Sequence, residues 1–264
     1  MPRPPSAVAI IPARMGSTRF PGKVLKADTG KPLIVHVCEQ AAKADSVSRV
    51  VVATDAPEVE SAVRAAGFEA VMTGDHPNGT SRLAEACGIL GLEPKAAIIN
   101  VQGDEPEIEP GVIDAAHTAL CFGKASPGDQ TVGTAVTPVA SKEQFEDPNI
   151  VKAAISGRPM QGPGPEVGVV HYFSRAPIPY PRNPSDQPAW RHVGIYAYTV
   201  GSIRAYLGWP PSPLEEVESL EQLRWLKAGY RITAAYTNAS HTGIDTEEQY
   251  RAFVARQSAR SAGK

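Results

Sequence analysis

Apolar and polar positions along the chain fall into two textures, and each predicts a different kind of structure. In the first half, Ala7-Val8-Ala9-Ile10-Ile11 is a continuous apolar run, the pattern of a strand covered on both faces. Val50-Val51-Val52-Ala53 repeats it, Ala70-Val71-Met72 is shorter, and Ala96 to Val101 predicts a fourth strand. Between these runs the period changes to that of a helix. Leu33, Val37 and Ala41 follow Pro32, Val59, Val63 and Ala66 follow Pro57 and stop at Gly67, and a third helix is expected over Leu83 to Leu90. This βαβα rhythm predicts an α/β fold built on a mostly parallel, doubly wound sheet with helices on both faces.

From about residue 131 the texture shifts. Strand-like runs at 131–138, 150–155, 167–173 and 192–199 are separated by Pro- and Gly-rich stretches, of which 158–165 and 177–188 read as loops. A long helix is expected over 213–228, carrying Leu214, Val217, Leu220, Leu223 and Trp225. A strand at 231–236 and a final helix from Thr246 follow. No repeat or low-complexity tract is visible. The whole chain, 1–264, reads as a single domain with a smaller β-rich excursion, and not as two domains divided near 131.

Composition narrows the class. The chain has 26 basic and 28 acidic residues and a formal net charge of −2, which argues against a dedicated nucleic-acid binder. Cys38, Cys87 and Cys121 are odd in number and lack CxxC spacing, so they are expected to be thiols in a reducing compartment. The apolar stretch from Ala7 to Ala13 reads as a strand and not as a signal peptide, and nothing approaches the roughly 18 apolar residues of a membrane span. A soluble, cytoplasmic protein with no membrane partner is the expectation.

In open α/β sheets ligands bind beyond the carboxyl ends of the strands, and two such loops carry chemistry. The segment from Arg14 to Lys23 holds three cations (Arg14, Arg19, Lys23), the hydroxyls of Ser17 and Thr18, and two glycines. Arginine forks, a lysine point charge and glycine-rich amides suit phosphate oxygens. The loop is not a P-loop, since Gly22-Lys23 is followed by Val24. After the fourth strand comes Gln102-Gly103-Asp104-Glu105-Pro106, where Asp104 can hold Mg²⁺ against phosphates or simply shape a turn. Asp245, in Gly243-Ile244-Asp245-Thr246, is a second carboxylate that spacing leaves open between a metal ligand and a helix N-cap. The six histidines make no zinc pattern, and no nucleophile elbow is present. His36 and His117 read as packing or surface residues, and Trp209, Trp225 and Tyr230 as core.

Seven segments together resemble the 3-deoxy-manno-octulosonate cytidylyltransferase (CMP-Kdo synthetase) family. They are Ile11 to Arg14 with Pro21-Gly22-Lys23; Gly79 to Glu85; Asn100 to Pro106; Tyr172-Phe173-Ser174-Arg175; Arg191 to Tyr196; Pro211 to Glu215 with Leu220 to Arg224; and Gly243 to Thr246. They run in family order over about residues 7 to 255. The resemblance implies a nucleotide-diphospho-sugar transferase type of fold. It also implies an enzyme that joins CTP to the sugar acid Kdo, giving CMP-Kdo and pyrophosphate with Mg²⁺, for lipopolysaccharide biosynthesis, as a cytoplasmic homodimer.

On the nucleotide side, the resemblance places Ala13, Arg14, Ser17, Arg19, Lys23, Arg82 and Asp104. Asp104 and Asp245 would hold the metal, and Arg14, Lys23, Asp104 and Asp245 would carry catalysis. Gln102, Arg175, Arg182, His192, Tyr196, Glu221 and Gln222 would line the sugar-acid site, with Arg175 and Arg182 toward the Kdo carboxylate. Residues 131–200 would contribute to that site and to the dimer. Ser81 departs from the family, which usually has an acidic residue there, and Glu216 stands where a residue such as His is common. The alternatives are the same chemistry on another sugar acid (8-amino-Kdo or a sialic-acid-like substrate) and a non-catalytic nucleotide-binding protein.

Overall fold

The computed structural model describes residues 6–16, 19–124, 130–157, 166–183, 189–238 and 243–262. They fall into two compact units. The N-terminal unit comprises Ser6–Leu92, Asn100–Pro110 and His241–Lys264, and the central unit Glu93–Ile99 and Gly111–Ser240.

In the N-terminal unit the expected alternation is present as β1 (Ala7–Ala13), α1 (Leu33–Ala41), β2 (Val47–Thr54), α2 (Pro57–Ala65), β3 (Glu69–Met72) and α3 (Gly79–Ile89). The strands lie in the order β3-β2-β1, and both pairings are parallel, with Ile10 beside Val51 and Val52 beside Ala70. Ala9, Ile10, Ile11, Val51, Val52 and Ala53 have no exposed surface, which explains their unbroken apolar runs. Gly67, at φ 83°, ends α2 in the left-handed conformation, and the Phe68 amide donates back to Val63 O.

The central unit holds β4 (Ala97–Asn100, its last residue excepted), α4 (Pro110–Lys124, its first excepted), β5 (Thr131–Pro138), α5 (Lys142–Glu146), β6 (Lys152–Ser156) and β7 (Val167–Ser174). These are followed by β8 (Trp190–Thr199), α6 (Val200–Leu207), α7 (Pro213–Glu218), α8 (Gln222–Lys227) and β9 (Arg231–Tyr236); α9 (Glu247–Ala262) belongs to the N-terminal unit. Its strand order is β4-β8-β5-β9-β7-β6. Only β5–β9 among the described pairings is parallel; β5–β8, β6–β7 and β7–β9 are antiparallel. The β-rich excursion is therefore the body of this unit. Helix α4 lies so close to β5 that a Cβ on Gly133 would fall 2.3 Å from Ala116 O, so no larger residue fits there.

The helix expected over 213–228 is instead two. Ser219 takes the left-handed conformation, φ 51°, between α7 and α8. Buried Glu215 accepts from Arg224 Nε at 2.7 Å. Nine residues along a continuous helix would separate this pair by about 13 Å, so the ion pair requires the break. Leu214 and Val217 are exposed, whereas Leu220, Leu223 and Trp225 are buried; the apolar positions do not form one stripe. Trp225 stacks between Tyr198 and Tyr206, with centroids at 5.3 and 4.9 Å, and Tyr198 stacks in turn on Tyr196. The three cysteines are free thiols.

Candidate active site

In the N-terminal unit, β1 carries the chain to Ala13, which is buried, and to Arg14, which is exposed. Ser17 lies outside the described residues. Gly22, at φ 66°, turns the loop so that Lys23 opens a short 3-10 turn and points inward. The Lys23 Nζ is the focus of this region. It donates to Ile244 O at 2.7 Å, to Asp104 Oδ2 at 2.8 Å and to Asp245 Oδ1 at 3.2 Å. Its side chain is only 10% exposed. Arg19 pairs with the other oxygen of Asp245 at 3.1 Å. Three segments remote in sequence thus meet on one ammonium.

Packing explains the meeting. Ile244 is buried with Phe20, Leu33, Tyr250 and Phe253, and its amide donates to Asp104 O at 2.8 Å. The Asp104 loop is seated close against β1, since a Cβ on Gly103 would lie 2.7 Å from Pro12 O. Asp245 is not the cap of α9. Thr246 Oγ1 accepts from the Gln249 amide, and Gln249 Oε1 accepts from the Thr246 amide, a reciprocal capping box. The carboxylate of Asp245 is left for Lys23 and Arg19.

Two carboxylate oxygens and a backbone carbonyl around one cation are hard donors. Such a set suits Mg²⁺, which takes one or two carboxylates and completes its shell with water and phosphate oxygens. Arg82 sits elsewhere in this unit. It is buried and donates to Asp55 Oδ2 and to Thr73 Oγ1, both at 2.7 Å, tying together the ends of β2 and β3. Asp55 and Thr73 escaped the sequence reading, although Asp55 follows its strand much as Asp104 follows β4. Ser81 serves the start of α3, its amide donating to Asn78 Oδ1. Gln102 is half-buried.

In the central unit, His192 Nε2 lies 3.0 Å from Thr134 Oγ1, whose hydroxyl donates to Ile195 O at 2.7 Å. Thr134 therefore accepts from His192, which leaves Nδ1 as an acceptor. Burial holds this imidazole neutral by lowering its pKa to about 3. Its ring lies between Phe173 and Tyr196. Burial, and then the nearby Glu221 carboxylate, push the Tyr196 phenol well up. Gln222 is buried, Glu221 is exposed, and Arg182 is exposed.

Arg175 is placed differently from a bare substrate anchor. Its Nε donates to Glu218 O at 2.6 Å and its Nη atoms to Pro148 O and Ser219 O. Lys152 and Glu218 are not singled out by the sequence, and Glu215 and Arg224 stand in a family segment without a role of their own. A lysine within Val151-Lys152-Ala153-Ala154-Ile155 was the available signal for the first of them.

The sequence model of the family described as Cytidylyltransferase matches residues 8–232. A 3-deoxy-manno-octulosonate cytidylyltransferase from Neisseria gonorrhoeae is 43% identical over 252 residues, covering 91% of this chain and 94% of that protein. One from an Acidovorax species is 39% identical over 263 residues, covering 93% and 95%. A solved structure of CMP:2-keto-3-deoxy-manno-octonic acid synthetase complexed with CTP superposes with a TM-score of 0.83 at 40% identity, covering 97% of this chain and 99% of that one. The chain belongs to the 3-deoxy-manno-octulosonate cytidylyltransferase family, and so to the nucleotidyltransferase enzymes. Among the described residues, no helix is long and apolar enough to cross a membrane.

Proposed function

We propose that this chain activates 3-deoxy-manno-octulosonate, joining it to the CMP portion of CTP with release of pyrophosphate and with Mg²⁺ as cofactor. The observation that carries this reading is the convergence of Asp104, Asp245 and Ile244 O on Lys23. The names of its relatives and the CTP held by the 40% identical synthetase support the choice of nucleotide and sugar acid.

In the reaction, an anomeric oxygen of the sugar attacks the α-phosphorus, the bond from that phosphorus to the bridging oxygen breaks, and pyrophosphate leaves. The hydroxyl proton passes to solvent. Asp104 and Asp245 would hold Mg²⁺, which when bound supplies charge neutralisation at the phosphate oxygens. Arg14, Ser17, Arg19 and Lys23 bind and orient the triphosphate, and Ala13 lies along the nucleotide. Arg82 shapes the nucleotide side through Asp55 and Thr73. Gln102, Arg175, Arg182, His192, Tyr196, Glu221 and Gln222 serve the sugar acid, with His192 Nδ1 accepting from a hydroxyl. Catalysis is then chiefly positioning and electrostatic stabilisation.

The test is pyrophosphate release at fixed CTP and Mg²⁺ across a panel of sugar acids. Release is expected to be fastest with Kdo and to fall to background when ATP replaces CTP. Release with no sugar acid in the panel would overturn the reading, and a faster 8-amino or sialic-type acid would change the sugar.

A further inference from the structure

The central unit contains a polar network that joins the end of β7 to the break between α7 and α8. The Glu218 carboxylate accepts from Ser174 Oγ at 2.6 Å and from the Arg175 amide at 2.9 Å. In return the Arg175 guanidinium donates to Glu218 O at 2.6 Å and to Ser219 O at 3.3 Å. The contact is therefore reciprocal: strand to helix through a carboxylate, and helix to strand through a guanidinium.

The strand end is fixed from its other side as well. Lys152, with no exposed surface, donates to Arg175 O at 2.5 Å, Ile150 O at 2.6 Å and Asp147 O at 2.8 Å. Its three N–H donors meet three carbonyls, so the ammonium is satisfied without an anion. Arg175 also reaches Pro148 O. Glu218 thus holds the break against an anchored point. The residue after it, Ser219, is left-handed, and the chain then presents Glu221 and Gln222.

We infer that Glu218 is a positioning residue for the sugar acid, holding the turn that sets Glu221 and Gln222 in place. This rests on the reading that those two residues serve the sugar acid. A left-handed serine is disfavoured unless its surroundings impose it, and here they do so through Glu218 on one side and the Glu215–Arg224 pair on the other. Releasing Glu218 lets the turn relax and moves the residues that follow, with no charge removed from the phosphate-binding loop.

The experiment is steady-state kinetics of Glu218→Ala, Glu218→Gln and Ser174→Ala, varying Kdo and CTP separately, with a thermal scan of each protein. Glu218→Ala is expected to raise the KM for Kdo about tenfold or more, while the KM for CTP stays within about twofold. Glu218→Gln is expected to recover most of the loss. Its amide oxygen can take the Arg175 N–H, and its NH₂ can turn to the Ser174 oxygen. Ser174→Ala, which removes one contact, should fall between them and decides the matter should Glu218→Ala not fold.

A lowered melting temperature with both KM values unchanged would overturn the inference and leave Glu218 a structural residue. Equal rises in both KM values would overturn it too. Wild-type protein that releases no pyrophosphate with CTP and Kdo would instead defeat the functional reading on which it rests.

Discussion

Among the described residues, the two buried lysines, one in each unit, are held in opposite ways. In the N-terminal unit, Lys23 faces the carboxylates of Asp104 and Asp245. In the central unit, Lys152 faces backbone carbonyls. A cation paired with carboxylates can change partners when a more highly charged anion arrives, and the carboxylates can then take a metal. A cation enclosed by carbonyls of fixed backbone has no such exchange open to it and holds the chain in shape. One lysine sits where charge can move, the other where geometry does not.

The sharpest break of this contrast is Asp245→Asn. Because Thr246 and Gln249 cap α9 by themselves and an Asn side chain keeps an oxygen for Lys23 Nζ, the exchange should lower the melting temperature of the ligand-free protein by no more than about 4 °C, the weakened ion pair being worth about 1 kcal/mol. Pyrophosphate release should nevertheless fall to near background. Normal activity at low Mg²⁺ would remove Asp245 from the metal role. Lys23→Ala comes next. Loss of a charge-assisted contact to phosphate, about 1.5–3 kcal/mol, should lower kcat/KM by about 10- to 100-fold; wild-type kinetics in the folded variant would end its phosphate role.

In the central unit the same kind of deletion should cost stability instead. Lys152→Ala leaves three carbonyls without their donor and opens a cavity. The expected loss is about 3 kcal/mol or more, read from denaturant unfolding, with the KM for CTP unchanged. A wild-type midpoint would dissolve the contrast between the two lysines.

The smallest effect is a pH dependence that each unit should share. Burial lowers His36 to about 4 and His192 to about 3, below the ordinary value of 6.5. The unfolded chain then binds more protons than the folded one in the window between those values, so stability is full above about pH 6.5 and declines on acidification. Between pH 7 and pH 5 each histidine should contribute a loss on the order of 1 kcal/mol. Melting curves of His36→Gln and His192→Gln across that range should each show a shallower slope, and an unchanged slope in both would refute the assignment.

Much of the fold was legible because burial on both faces writes itself as an apolar run. The spans 131–138 and 231–236 coincide with β5 and β9. The 213–228 span reads as one helix because the signal that breaks it is a long-range one: Glu215 reaches Arg224 only if the chain turns at Ser219. Local periodicity carries no trace of that pair. The site was legible as residue types at strand ends, Lys23 and Asp104 above all. Whether Asp245 caps a helix or faces a cation depends on Thr246 taking the cap with Gln249 reaching back to it, which spacing alone leaves open. Arg175 was marked by its family segment, yet its three carbonyl partners are a property of the folded backbone and not of its neighbours in sequence.

The aromatic stack has an optical consequence. All three tryptophans, Trp190, Trp209 and Trp225, belong to the central unit. Intrinsic indole emission therefore reports from that unit alone, and the N-terminal unit is dark at those wavelengths. Tyr196 leads through Tyr198 to Trp225 by successive stacked rings, so a molecule that settles on Tyr196 alters the surroundings of a fluorophore two rings away. Occupancy of one unit can be followed by light without a label, while the other needs a tryptophan placed in it.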